Sequence, residues 1–180
     1  MMTPRTAQLP GVIDTVASWQ HEGFPVQVHP GDLGWYQRFG AEELAGALRL
    51  WELDGSVVAA AGCGHATLSA ARWQQMAEGH AYRHARCLVG YDQDGTAVAA
   101  SPVWSAGNGR PGAIEPLGVH GGHRGRGHGA AITLAAAQAL RSMGCSSATV
   151  ATPSSNVPAV ATYEAAGFTA TAHDTDFCRP

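Results

Sequence analysis

The feature that most constrains this chain is a glycine-rich loop within residues 114–132, set between a predicted strand and a predicted helix. Glycine permits backbone conformations closed to other residues and lets a ligand approach the main chain closely. The helix start that follows presents unpaired N–H groups and the positive end of the helix dipole. Together these features predict a binding site for phosphate, to which Arg124 and Arg126 add positive charge and suitable geometry.

Two motifs in this part of the chain resemble those of the GNAT acyltransferase superfamily. Residues 124–129, Arg-Gly-Arg-Gly-His-Gly, fit the Arg/Gln-x-x-Gly-x-Gly/Ala signature of the loop that holds the pyrophosphate of acetyl-CoA. Residues 148–168 are similar to the second motif, with Asn-x-x-Ala starting at Asn156 and Tyr-x-x-x-Gly-Phe starting at Tyr163. The loop pattern alone is weakly specific, whereas the two motifs at this distance are strongly specific.

The resemblance implies one GNAT domain over residues 1–180, with an α/β (mixed α+β) fold in which a mostly antiparallel sheet is flanked by helices. Residues 65–180 form the core with the acetyl-CoA motifs, and residues 1–63 are an atypical N-terminal part. This part also resembles the opening of the GNAT-like half that precedes a complete one in some two-domain acyltransferases. We favour a single domain, because a fragment of a second one would expose its apolar face.

Hydrophobic periodicity and turn residues predict the order of helices and strands. Helices are expected within residues 1–23 and at 41–52, 69–79, 128–143 and 157–166. Strands are expected at residues 24–28, 56–61, 86–91, 97–104, 113–119 and 147–151, with a last one starting at Phe168. Pro116 and Gly118 predict an irregular strand, because proline lacks a donor and glycine favours a bulge. Asn156 is a predicted helix N-cap.

Charge and composition exclude several other functions. The formal net charge is −3, and the chain has eleven arginines and no lysine. It therefore lacks the excess of positive charge that is typical of a nucleic-acid-binding protein. A P-loop sequence is absent, which excludes a P-loop NTPase. Residues 107–112 satisfy the dinucleotide pattern G-x-G-x-x-G, but they join two strands instead of opening a helix, so we reject that assignment.

The cysteines and the N-terminus predict a cytoplasmic protein. The four cysteines are scattered without C-x-x-C spacing, which indicates free thiols in a reducing compartment. The N-terminus lacks the pattern of a signal peptide, and no apolar run approaches the ~20 residues of a membrane helix. We therefore expect no membrane partner. An uncovered sheet edge would invite pairing, so a homodimer is possible.

The resemblance also implies a reaction and a set of binding residues. The expected activity is transfer of acetyl from acetyl-CoA to a primary amine of a small molecule or peptide, by direct attack in a ternary complex. Backbone groups near Leu117 and Val119 would contact the pantetheine arm and polarise the thioester carbonyl. The residues assigned to acetyl-CoA binding are Leu117, Gly118, Val119, Arg124, Gly125, Arg126, Gly127, His128, Gly129, Ala130 and Asn156.

Two side chains are candidates for proton transfer. An alkyl amine has a pKa of ~10.4, so a general base or proton path is useful, and Glu115 lies on the strand from which other GNAT members project such a group. The alternative is that Glu115 is a solvated strand residue, which is common for glutamate. By resemblance Tyr163 would protonate the leaving thiolate; the alternative is a tyrosine whose ring packs on the core side of its helix.

Two further expectations concern metals and the acceptor. His120, His123 and His128 lie on a glycine-rich loop that would not hold ligands rigidly, so we expect exposed histidines near the phosphates and no metal. A second functional hypothesis is a GNAT-fold module that binds acyl-CoA without catalysis, because the atypical N-terminal third is where the acceptor pocket is normally built. The acceptor itself is not predicted, since specificity depends on those first helices and loops.

Overall fold

The computed structural model describes residues 9–21, 29–36, 49–53, 56–61 and 70–173. The strand predicted at residues 24–28 lies outside these ranges. In chain order the elements are α1 (Leu9–Trp19), α2 (Pro30–Tyr36), β1 (Arg49–Leu53), β2 (Ser56–Ala61), α3 (Ala70–Ala77), a 3₁₀ turn (His80–His84), β3 (Ala85–Tyr91), β4 (Ala97–Ser105), β5 (Gly112–Ile114), β6 (Gly118–Val119), a second 3₁₀ turn (Gly121–His123), α4 (His128–Ser142), β7 (Ala148–Thr149) and α5 (Val157–Ala165).

The main sheet has five strands in the order β3-β4-β5-β7, and β6 pairs with β4 beyond the end of β5. All of its pairs are antiparallel except β5 with β7, which run parallel. β1 and β2 form a separate antiparallel hairpin. Helices flank the main sheet, so the predicted mixed, mostly antiparallel architecture is confirmed.

Each face of the main sheet is covered by different helices, because successive side chains of a strand point to opposite faces. On one face Trp104 and Ala113 pack with Val12, Ile13 and Val16 of α1 and with further side chains from α2, α3 and the first 3₁₀ turn. On the other face Val103 and Ile114 pack with Ala136 and Leu140 of α4. The N-terminal helix α1 therefore contributes to the core on this face of the sheet.

Arg110, in the turn between β4 and β5, attaches the C-terminal end of α1 to the sheet. Its Nη1 lies 3.2, 2.6 and 3.0 Å from the carbonyl oxygens of Ala17, Ser18 and Gln20. The last carbonyls of a helix have no partner within the helix, and a cation is favourable at this end of the dipole. One guanidinium group thus satisfies several carbonyls that the helix leaves open.

Replacing Arg110 with Ala should lower the free energy of unfolding by about 1–2 kcal/mol, because these carbonyls lose a charged donor. Chemical denaturation measures the loss. Arg110→Lys is the matched control: it keeps the charge but not the planar fork, and should restore only part of the stability. Wild-type stability in Arg110→Ala would contradict this role.

The structure corrects the predicted helix at residues 41–52. Residues 41–48 lie outside the described ranges, but Arg49–Leu53 is strand β1, paired with Ser56–Ala61 in the predicted strand at residues 56–61. Short apolar runs fit helical and extended periodicity equally well, and here pairing with the neighbouring segment decides. Pro30 opens helix α2, which the sequence did not predict. Proline is well suited to a first helical position, where its missing N–H costs nothing.

One prediction at the end of the chain is wrong, and another is confirmed in position only. Residues 168–173 form no strand, and residues 174–180 lie outside the described ranges. The Phe168 N–H donates to the Tyr163 carbonyl, and Gly167 has a φ of +88°, so this segment closes the end of α5. Asn156 occupies the N-cap position but makes no side-chain capping bond; its Nδ2 instead lies 3.4 Å from Thr152 Oγ1.

Candidate active site

The main sheet opens where β5 ends. β5 pairs with β4 on one side and with β7 on the other, through Gly112 with Ala148 and Ala113 with Thr149. Residues 115–117 then interrupt the strand, and β6 resumes pairing with β4 but not with β7 among the described strands. The predicted irregular strand is confirmed, and it leaves an opening between β6 and β7.

Main-chain polar groups line one side of this opening. The His120 N–H donates to the Val98 carbonyl at 2.8 Å, and Val119 is the register partner of Ala99. Hydrogen-bonding direction alternates along an antiparallel ladder, so the N–H and C=O of Val119 point away from β4 and towards the opening. Arg124 Nε donates to the Val119 carbonyl at 3.3 Å, which places the first loop arginine at the end of the opening.

The predicted phosphate loop leads from this point into α4. Gly125 and Gly127 have φ angles of +72° and +82°, which other residues rarely adopt, and this explains glycine at both positions. Gly127 is the N-cap of α4 and provides no side-chain cap, so the first-turn N–H groups of α4 are not capped by that residue. Arg124 and Arg126 are exposed beside them. These groups fit an anionic ligand.

Gly129 also sets the contact between α4 and α5. A Cβ atom at this position would lie 2.8 Å from Thr162 Cγ2, closer than real Cβ atoms approach a neighbour. The absence of a side chain therefore lets the start of α4 lie directly against α5. Since α5 carries Tyr163, this packing helps to place the phosphate loop and the tyrosine relative to each other.

The two predicted proton-transfer residues lie close enough to interact. Glu115, at the interruption after β5, and Tyr163, on α5, are both half-buried. Burial raises the pKa of Tyr163, and the negative charge of Glu115 raises it further. The structure thus brings together a carboxylate from the strand before the glycine-rich loop and a phenol from the second motif.

The three histidines of the loop region form a cluster. The ring centroids of His120 and His123 are 5.4 Å apart, and those of His123 and His128 are 6.3 Å apart. His123 Nδ1 lies 3.7 Å from Asp92 Oδ2, which connects the loop to the turn between β3 and β4. Among the described residues, no group of three or more His, Cys, Asp or Glu side chains is placed to hold a metal ion.

Comparison with known proteins identifies the family. The model of the acetyltransferase (GNAT) family matches residues 64–168, more than half of the chain. The chain belongs to this family. It is therefore an acyltransferase, and acetyl-CoA is the co-substrate that membership implies. A search of curated proteins found no match.

Solved structures share the fold of this GNAT protein. Aminoglycoside 6'-N-acetyltransferase AAC(6')-IG from Acinetobacter haemolyticus is 23% identical with a TM-score of 0.50, covering 62% of this chain and 81% of that one. AAC(6')-Iy, in complex with a bisubstrate analogue of CoA, is 19% identical with a TM-score of 0.51, covering 61% and 79%. A putative acetyltransferase from Agrobacterium tumefaciens is 17% identical with a TM-score of 0.51, covering 98% and 99%. At these identities the likeness shows the fold alone.

Two buried residues had no role in the sequence-based prediction of the site. Trp104 is 1% exposed, and its Nε1 donates to the Glu115 carbonyl at 2.7 Å. His29 is buried with both ring nitrogens in contact with backbone groups. Neither residue belongs to a family motif, and only the buried tryptophan had a sequence signal.

No helix among the described residues is long and apolar enough to span a membrane.

Proposed function

We propose that this GNAT protein transfers an acetyl group from acetyl-CoA to a primary amine by direct attack in a ternary complex. The observation that carries the proposal is the opening between β6 and β7, which has the phosphate loop at one end and Glu115 close to Tyr163 at the interruption. A phosphate-binding helix start and a pair of proton-transfer groups thus lie along one opening of the sheet. This arrangement suits a long ligand whose anionic end and reactive end are far apart.

Acetyl-CoA would bind through backbone and arginine contacts. The loop and first-turn N–H groups of residues 125–130 would hold the pyrophosphate, with Arg124 and Arg126 adding charge. The pantetheine arm would run along the backbone of residues 117–119, where the outward N–H of Val119 would polarise the thioester carbonyl. Asn156 is exposed beside the start of α5, and we propose that its amide contacts the co-substrate.

The chemistry needs two proton movements. The amine nitrogen attacks the thioester carbonyl carbon, a C–N bond forms, and the C–S bond breaks to release the thiolate of CoA. Glu115 would take the proton of the amine through a water molecule, and Tyr163 would give its proton to the thiolate. The phenol is protonated at neutral pH, as this role requires, and burial and the charge of Glu115 raise its pKa further, so the transfer of its proton depends on close positioning at the thiolate.

A thiol-release assay with acetyl-CoA and a panel of primary amines tests the proposal. Release should depend on the amine, and Glu115→Gln should lower kcat by about 100-fold, because a positioned base is lost. Glu164→Gln is the matched control, since Glu164 is exposed on the same helix as Tyr163. Binding of acetyl-CoA without release by any amine would favour the non-catalytic acyl-CoA-binding module instead.

We also propose a cytoplasmic homodimer. β7 is the last strand of the main sheet, and within the described residues no strand covers its outer edge. Such an edge invites pairing with a second chain. Sedimentation equilibrium tests this assembly, and a monomer mass across the micromolar range would contradict it.

A further inference from the structure

The backbone at Glu115 is missing a hydrogen bond that an antiparallel sheet would normally supply. Glu115 lies opposite Pro102 of β4, and its N–H donates to the Pro102 carbonyl at 3.3 Å. In a regular ladder such a pair exchanges two bonds, so the N–H of residue 102 would donate to the Glu115 carbonyl. Proline has no N–H, and this second bond cannot form.

The indole of Trp104 supplies the missing donor. Trp104 is on the same strand as Pro102, two residues further along, and its Nε1–H donates to the Glu115 carbonyl at 2.7 Å. A buried carbonyl without a partner is costly, so this side-chain bond replaces the ladder bond at the position where β5 ends. The backbone from which the Glu115 carboxylate projects is therefore held by Trp104.

The indole is in turn held by the N-terminal part of the chain. A Cβ atom on Gly31 would lie 2.5 Å from Trp104 Cγ, and one on Gly34 would lie 2.5 Å from Trp104 Cζ3. The backbone of α2 therefore lies directly on the ring. Tyr82 contacts Trp104 edge to face, with ring centroids 5.9 Å apart. With these neighbours and 1% exposure, the indole is enclosed between α2 and the first 3₁₀ turn.

We propose that Trp104 is a positioning residue for Glu115, through which helix α2 fixes the carboxylate that accepts the proton of the amine. The proposal rests on the proposed acetyl transfer. It gives the atypical N-terminal part a role in the reaction besides its packing. α2 packs on the indole and holds it in place, and the indole donates a hydrogen bond to the Glu115 carbonyl. This hydrogen bond fixes the backbone at the start of the strand interruption.

Trp104→Phe tests the proposal, because it keeps an aromatic ring and removes only the indole N–H and part of the ring volume. With the indole bond to the Glu115 carbonyl lost, kcat should fall by about tenfold, while the Kd for acetyl-CoA stays within about twofold of wild type. Met76→Ala is the matched control. Met76 is fully buried in the same apolar cluster as Trp104, so its truncation destabilises that cluster without removing the bond to Glu115.

The expected result is a fall in kcat for Trp104→Phe and a wild-type kcat for Met76→Ala, even where Met76→Ala lowers Tm more. Unchanged kcat in Trp104→Phe, or equal losses in both variants, would overturn the proposal. NMR titration of the Tyr163 phenol gives a readout independent of acetyl transfer, because this phenol senses the charge of Glu115. If the wild type shows no acetyl transfer, a pKa of Tyr163 that changes in Trp104→Phe but not in Met76→Ala would still support the positioning role of Trp104. An unchanged pKa of Tyr163 in Trp104→Phe would overturn it.

Discussion

Replacing Tyr163 with Phe is expected to lower kcat by about 100-fold while leaving the affinity for acetyl-CoA unchanged. The phenol is half-buried and carries its proton at neutral pH, and both burial and the charge of Glu115 raise its pKa further. Phenylalanine keeps the ring, whose centroid lies 6.5 Å from that of Phe168, but has no proton to give. Steady-state kinetics combined with equilibrium binding of acetyl-CoA measures both quantities.

Two controls separate proton donation from packing. Tyr91→Phe changes an exposed tyrosine on β3, at 65% exposure, and should leave kcat unchanged. Glu115→Gln should lower the pKa of Tyr163, because a neutral amide no longer repels the phenolate. If Tyr163→Phe turns over at the wild-type rate, Tyr163 has no part in the mechanism.

The second large effect is a loss of stability in acid that originates at His29. Its Nε2 lies 3.2 Å from the Pro111 carbonyl, and its Nδ1 accepts a bond from the Gly31 N–H at 2.9 Å. The ring is therefore neutral with its proton on Nε2, and a second proton on Nδ1 would face the Gly31 donor. Burial lowers the pKa of His29 from 6.5 to about 4, and the bond to Pro111 opposes this only in part.

The direction of the pH effect follows from this lowered pKa. Between pH 6.5 and about 4 the unfolded chain binds a proton at His29 that the folded chain does not bind. The contribution of His29 to the free energy of unfolding is therefore complete above pH 6.5 and declines by about 3 kcal/mol as the pH falls to about 4. Urea denaturation at a series of pH values across this window measures the decline.

His29→Gln provides the comparison, because its amide can still donate to the Pro111 carbonyl but does not titrate. Between pH 6.5 and about 4, the free energy of unfolding of His29→Gln should decline by about 3 kcal/mol less than that of the wild type. His173→Gln, at an exposed position, should follow the wild-type curve. Equal pH dependence in His29→Gln and wild type would contradict the assignment to His29.

The sequence predicted the second half of the fold well because turn residues mark its boundaries. Gly95 closes the β3–β4 turn with a φ of +77°, and Gly144 follows the end of α4 with a φ of +82°. Residues 85–91, 97–105 and 128–142 accordingly match the predicted elements closely. The conformation of the glycine-rich loop was also predictable, since its positive-φ glycines are close together in sequence.

The errors have a different origin. The strand at Arg49–Leu53 depends on pairing with β2, and the absence of a strand after Phe168 depends on the closure of α5 by a backbone bond to Tyr163. Both outcomes are set by backbone partners that local periodicity does not report. The contact of Trp104 with Glu115 is similar, because it follows from a register that places Pro102 opposite Glu115. The sequence gives the residue types at Trp104 and Glu115, but only the fold shows that the two are hydrogen-bonded.

The most direct test of the account is calorimetric titration of the protein with acetyl-CoA, repeated with the Arg124→Ala/Arg126→Ala double variant. Arg141→Ala, an exposed change at the far end of α4, is the matched control. We predict that the wild type and the control bind equally and that the double variant binds about 100-fold more weakly, because two charged donors to phosphate are lost. Absence of binding by the wild type, or equal binding by the double variant, would contradict the account.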